Sequence, residues 1–146
     1  MNPDSENSFL DTNILVYAYD ETAGQKHSTA KQMVLECMQG EATFVISNQI
    51  LGELVNTARN KLPSISRTEI QALMEEILGL PSWIKVNYTE QTSWKALADL
   101  NSEDDFWDAV IAQTMKENGI TTIYTENVKD FQKIKGIKAV NPFRKN

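Results

Sequence analysis

Three acidic residues stand where ordinary structural roles account for them poorly, Asp11, Glu53 and Asp108, and a fourth, Asp130, admits an ordinary role of its own. Asp11 follows the apolar pair Phe9-Leu10 at a strand-to-helix junction, a place that commonly carries a helix cap or Asx turn. Thr12 and Asn13 come next and can supply that cap, which frees Asp11 for another task. Glu53 belongs to a polar stripe of Gln49, Glu53, Asn56 and Asn60. At a helical advance of about 100° per residue, the stripe lies opposite an apolar arc of Ile50, Leu51, Leu54, Val55, Ala58 and Leu62. A solvated helix side is the plain explanation, but amides are mediocre helix formers, and an amide-rich stripe suits the wall of a cleft. Asp108 lies in Phe106-Trp107-Asp108-Ala109-Val110-Ile111-Ala112. With Ser102 as the helix cap, Asp104 and Asp105 fill the first turn and Asp108 falls beyond capping use. A carboxylate on a partly apolar helix side needs a partner, and the nearby sequence offers only Lys116. Asp130 reads first as a loop residue or helix cap and gains meaning only in company with the other three.

Together these acids specify a chemistry. Carboxylates brought close cannot all ionise at neutral pH without a compensating cation. Ligand sets made of oxygen select hard ions such as Mg²⁺ or Mn²⁺. Such ions activate water and offset the charge of a phosphodiester transition state. One histidine, His27, and one cysteine, Cys37, argue against a zinc site of the usual kind. No glycine-rich dinucleotide motif, phosphate-binding loop or serine-nucleophile elbow occurs, which disfavours dinucleotide, NTPase and serine-hydrolase chemistry.

The elements that must position these residues alternate between strand and helix. Phe9-Leu10, residues 43–46, 84–86, 121–124 and 138–140 read as strands. Residues 14–19, 25–39, 48–62, 66–80, 90–100 and 102–118 read as helices, with Gly40, Pro63 and Gly119 as stops. Alternation implies an α/β fold, a mostly parallel sheet with right-handed crossovers and helices on both faces. Sites in such folds gather beyond the carboxyl ends of strands, and Asp11, Ser47 and Thr125-Glu126-Asn127 stand there.

The chain of 146 residues suits one domain spanning 1–146, large enough to need no disulfide or metal staple. Hydrophobic residues at 41% and charged residues at 23% exclude a disordered or fibrous chain. The lone Cys37 excludes an internal disulfide and sits in an apolar setting expected to bury it. Residues 1–6 show no leader pattern and no apolar run is long enough to span a membrane, so a cytoplasmic protein is expected. The net charge of −6 counts against a nucleic-acid partner only as an average. Residues 129–145 hold six basic side chains and one acid, a net +5, which leaves −11 for the rest.

Four segments in this order resemble the PIN-domain family, most closely its VapC-type toxins. They are Phe9-Leu10-Asp11-Thr12-Asn13-Ile14-Leu15, Ser47-Asn48-Gln49-Ile50-Leu51-Gly52-Glu53-Leu54, Phe106-Trp107-Asp108-Ala109-Val110-Ile111-Ala112 and Thr125-Glu126-Asn127-Val128-Lys129-Asp130-Phe131. The ending Val140-Asn141-Pro142-Phe143 is similar as well. The resemblance implies a three-layer α/β/α sandwich of about five strands and a Mg²⁺- or Mn²⁺-dependent endoribonuclease acting on RNA. It assigns Asp11, Glu53 and Asp108 to the metal site, and Thr12 and Thr125 to its lining. The position two after Thr125 often carries the family's fourth acid. Here it is Asn127, so Asp130 is taken as the fourth ligand, with Glu126 a further candidate. Asn13, Ser47, Asn127, Arg59 and Lys129 are expected on the substrate side, with the basic tail and Arg59, Lys61 or Arg67 holding the strand's backbone. A small antitoxin partner and a homodimer are implied by the resemblance, with the run 15–19 and the helix 25–39 as possible surfaces.

Two other readings compete. A haloacid-dehalogenase-like phosphotransfer enzyme also uses an acid after its first strand, but it wants a second Asp where Asn13 stands. A PIN-like module that binds nucleic acid or protein without cutting would follow from the altered fourth position.

Overall fold

The computed structural model describes residues 7–144; the absence of a leader pattern read in residues 1–6 concerns positions outside that range, as does Lys145 of the basic tail. Five short strands form one sheet: β1 (Ser8–Leu10), β2 (Phe44–Ser47), β3 (Trp83–Val86), β4 (Thr122–Tyr124) and β5 (Lys138–Val140). Their spatial order is β3-β2-β1-β4-β5, and every neighbouring pair is parallel rather than mostly so. Phe9 of β1 lies between Val45 and Ile123, at the centre of the sheet, and all three are fully buried. Burial on both faces explains why Phe9-Leu10 and Phe44-Val45-Ile46 read as continuous apolar runs without alternation.

The helices are α1 (Thr12–Tyr19), α2 (Gln25–Met38), α3 (Asn48–Lys61), α4 (Arg67–Gly79), α5 (Glu90–Ala98), α6 (Phe106–Glu117) and α7 (Val128–Gln132). A single 3₁₀ turn, Glu21–Ala23, joins α1 to α2. From β1 the chain steps outward through β2 to β3, then crosses back to β4 on the other side of β1. Right-handed crossovers in opposite directions place their helices on opposite faces. The packing agrees: α1 meets α2 and α3, α3 meets α4, α5 meets α6, and α6 meets α7. The result is the expected three-layer sandwich.

The strand order reverses between β1 and β4, the point at which sheets of this kind form a crevice at the strands' carboxyl ends. Two backbone bonds carry the ladder just past the strands at that point, Asp11 N–H to Tyr124 O at 3.0 Å and Thr125 N–H to Val140 O at 2.9 Å. Asp11 and Thr125 are thereby fixed side by side.

Helix starts follow side-chain caps. Ser47 accepts from the N–H of Ile50 and Ser66 from that of Glu69. Two expected starts are corrected. The sixth helix begins at Phe106, not Ser102, and Asp105 is its cap, accepting from the N–H of Asp108 at 2.9 Å. Asp108 therefore lies in the first turn, where acid suits the positive helix end. At α1 the cap is Asp11 itself, which accepts from the N–H of Thr12 at 2.8 Å. Capping does not exhaust either carboxylate. The short helix α7 was not anticipated; at five residues it has too little periodicity to stand out. Cys37 is buried and free, as expected. Among the described residues no helix is long and apolar enough to cross a membrane.

Candidate metal centre at the sheet switch point

Three carboxylates reach the crevice from three elements: Asp11 from the end of β1, Glu53 from the second turn of α3, and Asp108 from the first turn of α6. Each is held by neutral donors. Asp11, 8% exposed, accepts from the Thr12 N–H with Oδ1 and from the Thr125 hydroxyl with Oδ2 at 2.7 Å. Glu53 accepts from the Thr12 hydroxyl at 3.1 Å and from Gln49 Nε2 at 2.7 Å. Asp108 accepts from Asn127 Nδ2 at 3.1 Å. The ion pairs among the described residues are Lys26–Glu126, Lys95–Asp99, Lys133–Asp104 and Lys133–Asp130, so none neutralises these three.

The electrostatic consequence is direct. Burial raises the Asp11 pKa, the Thr125 and Thr12 bonds oppose that rise, and the charge of Glu53 adds to it. Asp108 is pushed up to about 7, first by burial and then by the charges of Asp105, Asp11, Asp130 and Glu53. Like charges converge here without a cation, and near neutrality one of them retains its proton part of the time.

The residues expected on the substrate side divide into groups. Thr12 and Thr125 line the site and orient its carboxylates. Asn127 touches Asp108, in place of the expected fourth acid. Asp130 acts on Asp108 through its charge but pairs with Lys133 at 3.8 Å. Glu126 turns away, accepting from Tyr17 Oη at 2.6 Å and Lys26 Nζ at 2.5 Å. Ser47 is buried with its hydroxyl engaged in capping α3. Asn13 is half-buried and its Oδ1 has no hydrogen-bond partner. Lys129 is exposed on α7, while Arg59 is exposed in the last turn of α3, at the opposite end from the cap and Gln49. Asp105 was read only as a cap; it also supplies the largest charge acting on Asp108. Its signal was the tandem Asp104-Asp105, where one acid suffices for capping.

A divalent ion fits this donor set. The oxygens are carboxylates from three elements, they lack a cationic partner, and two buried side-chain carbonyls nearby in sequence, Asn13 Oδ1 and Gln49 Oε1, are unpartnered. Among the described residues no group of three or more His, Cys, Asp or Glu side chains is drawn together tightly enough to hold a metal ion. Asp11, Glu53 and Asp108 are the acids that would have to close on one, and Asp130 stands beside Lys133.

An all-parallel sheet with acidic residues beyond its strand ends defines a protein of the doubly wound α/β class. The PIN domain family model matches residues 8–137, and the chain belongs to that family. Solved structures share the fold. A toxin–antitoxin complex from Klebsiella pneumoniae aligns with a TM-score of 0.62 at 21% identity, covering 92% of this chain and 97% of that one. Mycobacterium tuberculosis VapC20, a toxin that cleaves the sarcin–ricin loop, aligns with a TM-score of 0.62 at 19% identity, covering 89% and 98%. VapBC2 of Rickettsia felis, bound to a DNA fragment from its promoter, aligns with a TM-score of 0.56 at 19% identity, covering 92% and 98%. No functionally curated protein matches the chain.

Proposed function

We propose that the chain is a Mg²⁺- or Mn²⁺-dependent endoribonuclease and the toxin of a type II toxin–antitoxin pair. The observation that carries the reading is that Asp11, Glu53 and Asp108 lie within reach of one another's charge, with neutral donors as their hydrogen-bond partners. A divalent ion bound there supplies Lewis acidity for water attack on a phosphodiester and offsets the charge that develops. The protein's own part is positional. Thr125 orients Asp11, Thr12 and Gln49 orient Glu53, and Asn127 orients Asp108, each by one bond that fixes a carboxylate before an ion arrives. Asp108, its carboxyl pushed up to about 7, would have to lose its proton to hold a cation, so any such binding would tighten as pH rises through that value. Exposed Lys129 and Lys135 on the α7 side supply phosphate contacts. Relatives in fold that are toxin–antitoxin complexes support an antitoxin partner. The run Leu15–Tyr19 supports one less than expected, because Leu15 and Ala18 are core residues.

The test is cleavage of single-stranded RNA with Mn²⁺, with the new ends mapped. Wild type cuts and Asp11→Asn does not; equal cutting by both would falsify the assignment. A second reading, a binding module without activity, is favoured by Asn127 at the fourth position and by the pairing of Asp130 with Lys133. Calorimetry separates the two, since a module of that kind shows no heat with millimolar Mn²⁺.

A further inference from the structure

Next to the carboxylates lies an open cleft of about 510 Å³, lined among others by Gly52, Glu53, Tyr88, Trp107 and Asp108. Two of its walls are aromatic. Trp107 is 50% exposed although it immediately precedes Asp108. Its ring meets Tyr88 edge-to-face, centroids 6.1 Å apart at 80°, and Phe106 at 5.3 Å and 67°.

Both aromatic residues are clasped through their backbones by consecutive amides at the start of α3. Asn48 accepts from the Tyr88 N–H at 2.9 Å and donates to the Tyr88 carbonyl at 3.4 Å. Gln49, 7% exposed, donates to the Trp107 carbonyl at 3.1 Å while holding Glu53 with the same nitrogen. The amide that positions a site carboxylate thus also positions the exposed tryptophan. Gly52 is the second independent sign. It is an interior residue of α3 with φ outside the left-handed region, where glycine costs about 1 kcal/mol relative to alanine. A Cβ there would meet nothing within 4 Å, so no packing demands glycine. Its absent side chain leaves bare backbone on the cleft wall.

We propose that this cleft is a stacking site for one unpaired nucleobase of an RNA strand whose neighbouring phosphate lies at Asp11, Glu53 and Asp108. This rests on the ribonuclease reading. A flat, uncharged heterocycle suits an exposed indole, and single-stranded RNA is commonly held by such stacking. Glu53, Asp105 and Asp108 on the rim repel phosphate when no cation is bound beside them, but never a neutral base. The site therefore selects nucleotides free to splay out of a helix and disfavours paired RNA.

Tryptophan fluorescence tests this in the full chain carrying Trp94→Phe, because Trp94 is 71% exposed and Trp83 is buried. Titration in EDTA with an oligoadenylate carrying uncharged methylphosphonate linkages, which the carboxylates do not repel, is expected to quench saturably, and an abasic strand with the same linkages is not. Trp107→Ala weakens oligoadenylate binding by roughly 5- to 150-fold, the range for losing one base–aromatic stack. Trp107→Phe retains binding and loses the quench. Gly52→Gln, a better helix former, raises Tm yet weakens binding. Equal binding and quenching by the abasic strand, or unchanged binding by both Trp107→Ala and Gly52→Gln, overturns the stacking site. Loss of antitoxin capture by Trp107→Ala with RNA binding unchanged does so too. Since no divalent ion is present, stacking without Mn²⁺-dependent cutting sinks the nuclease reading alone. Cutting that Trp107→Ala leaves intact, with binding unchanged, sinks only the stacking site.

Discussion

Glu126 and Asn127 are adjacent in sequence, yet they face two opposite electrostatic settings. Burial raises the Glu126 pKa, but bonds from Lys26 and Tyr17 and the charge of Lys26 outweigh it and hold the group below its usual value. Around Asp108, which Asn127 touches, burial acts in the same direction, no cation opposes it, and four more carboxylates add to it. One acid is completed by the fold and the other is left incomplete. Glu126 has its cation within the fold, and Asp108 does not. Asp104 follows the first pattern, held low mainly by Lys133.

The difference can be broken most sharply at Asp108. Asp108→Asn is expected to lower RNA cleavage on the order of 100-fold or more, because even indirect perturbation of a metal ligand costs 10- to 100-fold. The same change is expected to raise Tm in EDTA, since it removes a disfavoured charge. Cleavage and stability moving in one direction would contradict the assignment. Asn127→Asp sharpens the contrast from the other side. It adds an acid against Asp108, so Mn²⁺ binding by calorimetry should tighten by about tenfold through added ligand charge, while the ion-free fold loses about 1 kcal/mol.

A pH dependence follows from the sign of the shift. The Asp108 pKa is raised from 3.8 to about 7, so the folded state binds its proton more tightly than the unfolded chain. The stability this group contributes is complete below about pH 4 and is lost as pH rises through about 7. Urea unfolding in EDTA should therefore show about 1–2 kcal/mol less stability from this group at pH 8 than at pH 4, allowing for solvent screening. Asp108→Asn should remove that part of the slope, and millimolar Mn²⁺ should restore stability at pH 8. The smallest effect belongs to the completed acid. Glu126→Gln breaks a partly exposed ion pair and should cost less than about 1 kcal/mol, with cleavage within twofold. A large loss of cleavage there would mean that the Lys26–Glu126 pair holds the metal centre in place.

Much of the architecture was legible in the chain because burial leaves a strong local pattern. Phe44-Val45-Ile46 and Ile123-Tyr124 marked strands, and Ser66 with Glu69 marked a helix start that the structure keeps. The start of α6 was misplaced because Ser102, Asp104 and Asp105 can all cap. The choice falls to Asp105, whose extended backbone lets its carboxylate reach the Asp108 N–H. Asp11 was seen as free of capping because Thr12 and Asn13 seemed sufficient, yet its two oxygens serve both purposes, one on Thr12 and one on Thr125. The aromatic cleft carried no periodic signal, since Tyr88 lies outside any helix and Trp107 meets it only through the packing of α6 beside α3.

Residue types and order settled the class of fold and the family and singled out three acids for attention, because hydrophobic period, capping chemistry and the shortage of nearby basic partners are local properties of a chain. Which acid completes the set was settled elsewhere. Glu126 was removed from the site by Lys26, about a hundred residues away in sequence, and Asp130 was given to Lys133. Distances across the β1–β4 crevice depend on the strand order, and no local pattern encodes which strands become neighbours. The charge of −6 is of the first kind, and the concentration of unpaired acid at one strand-end crevice is of the second.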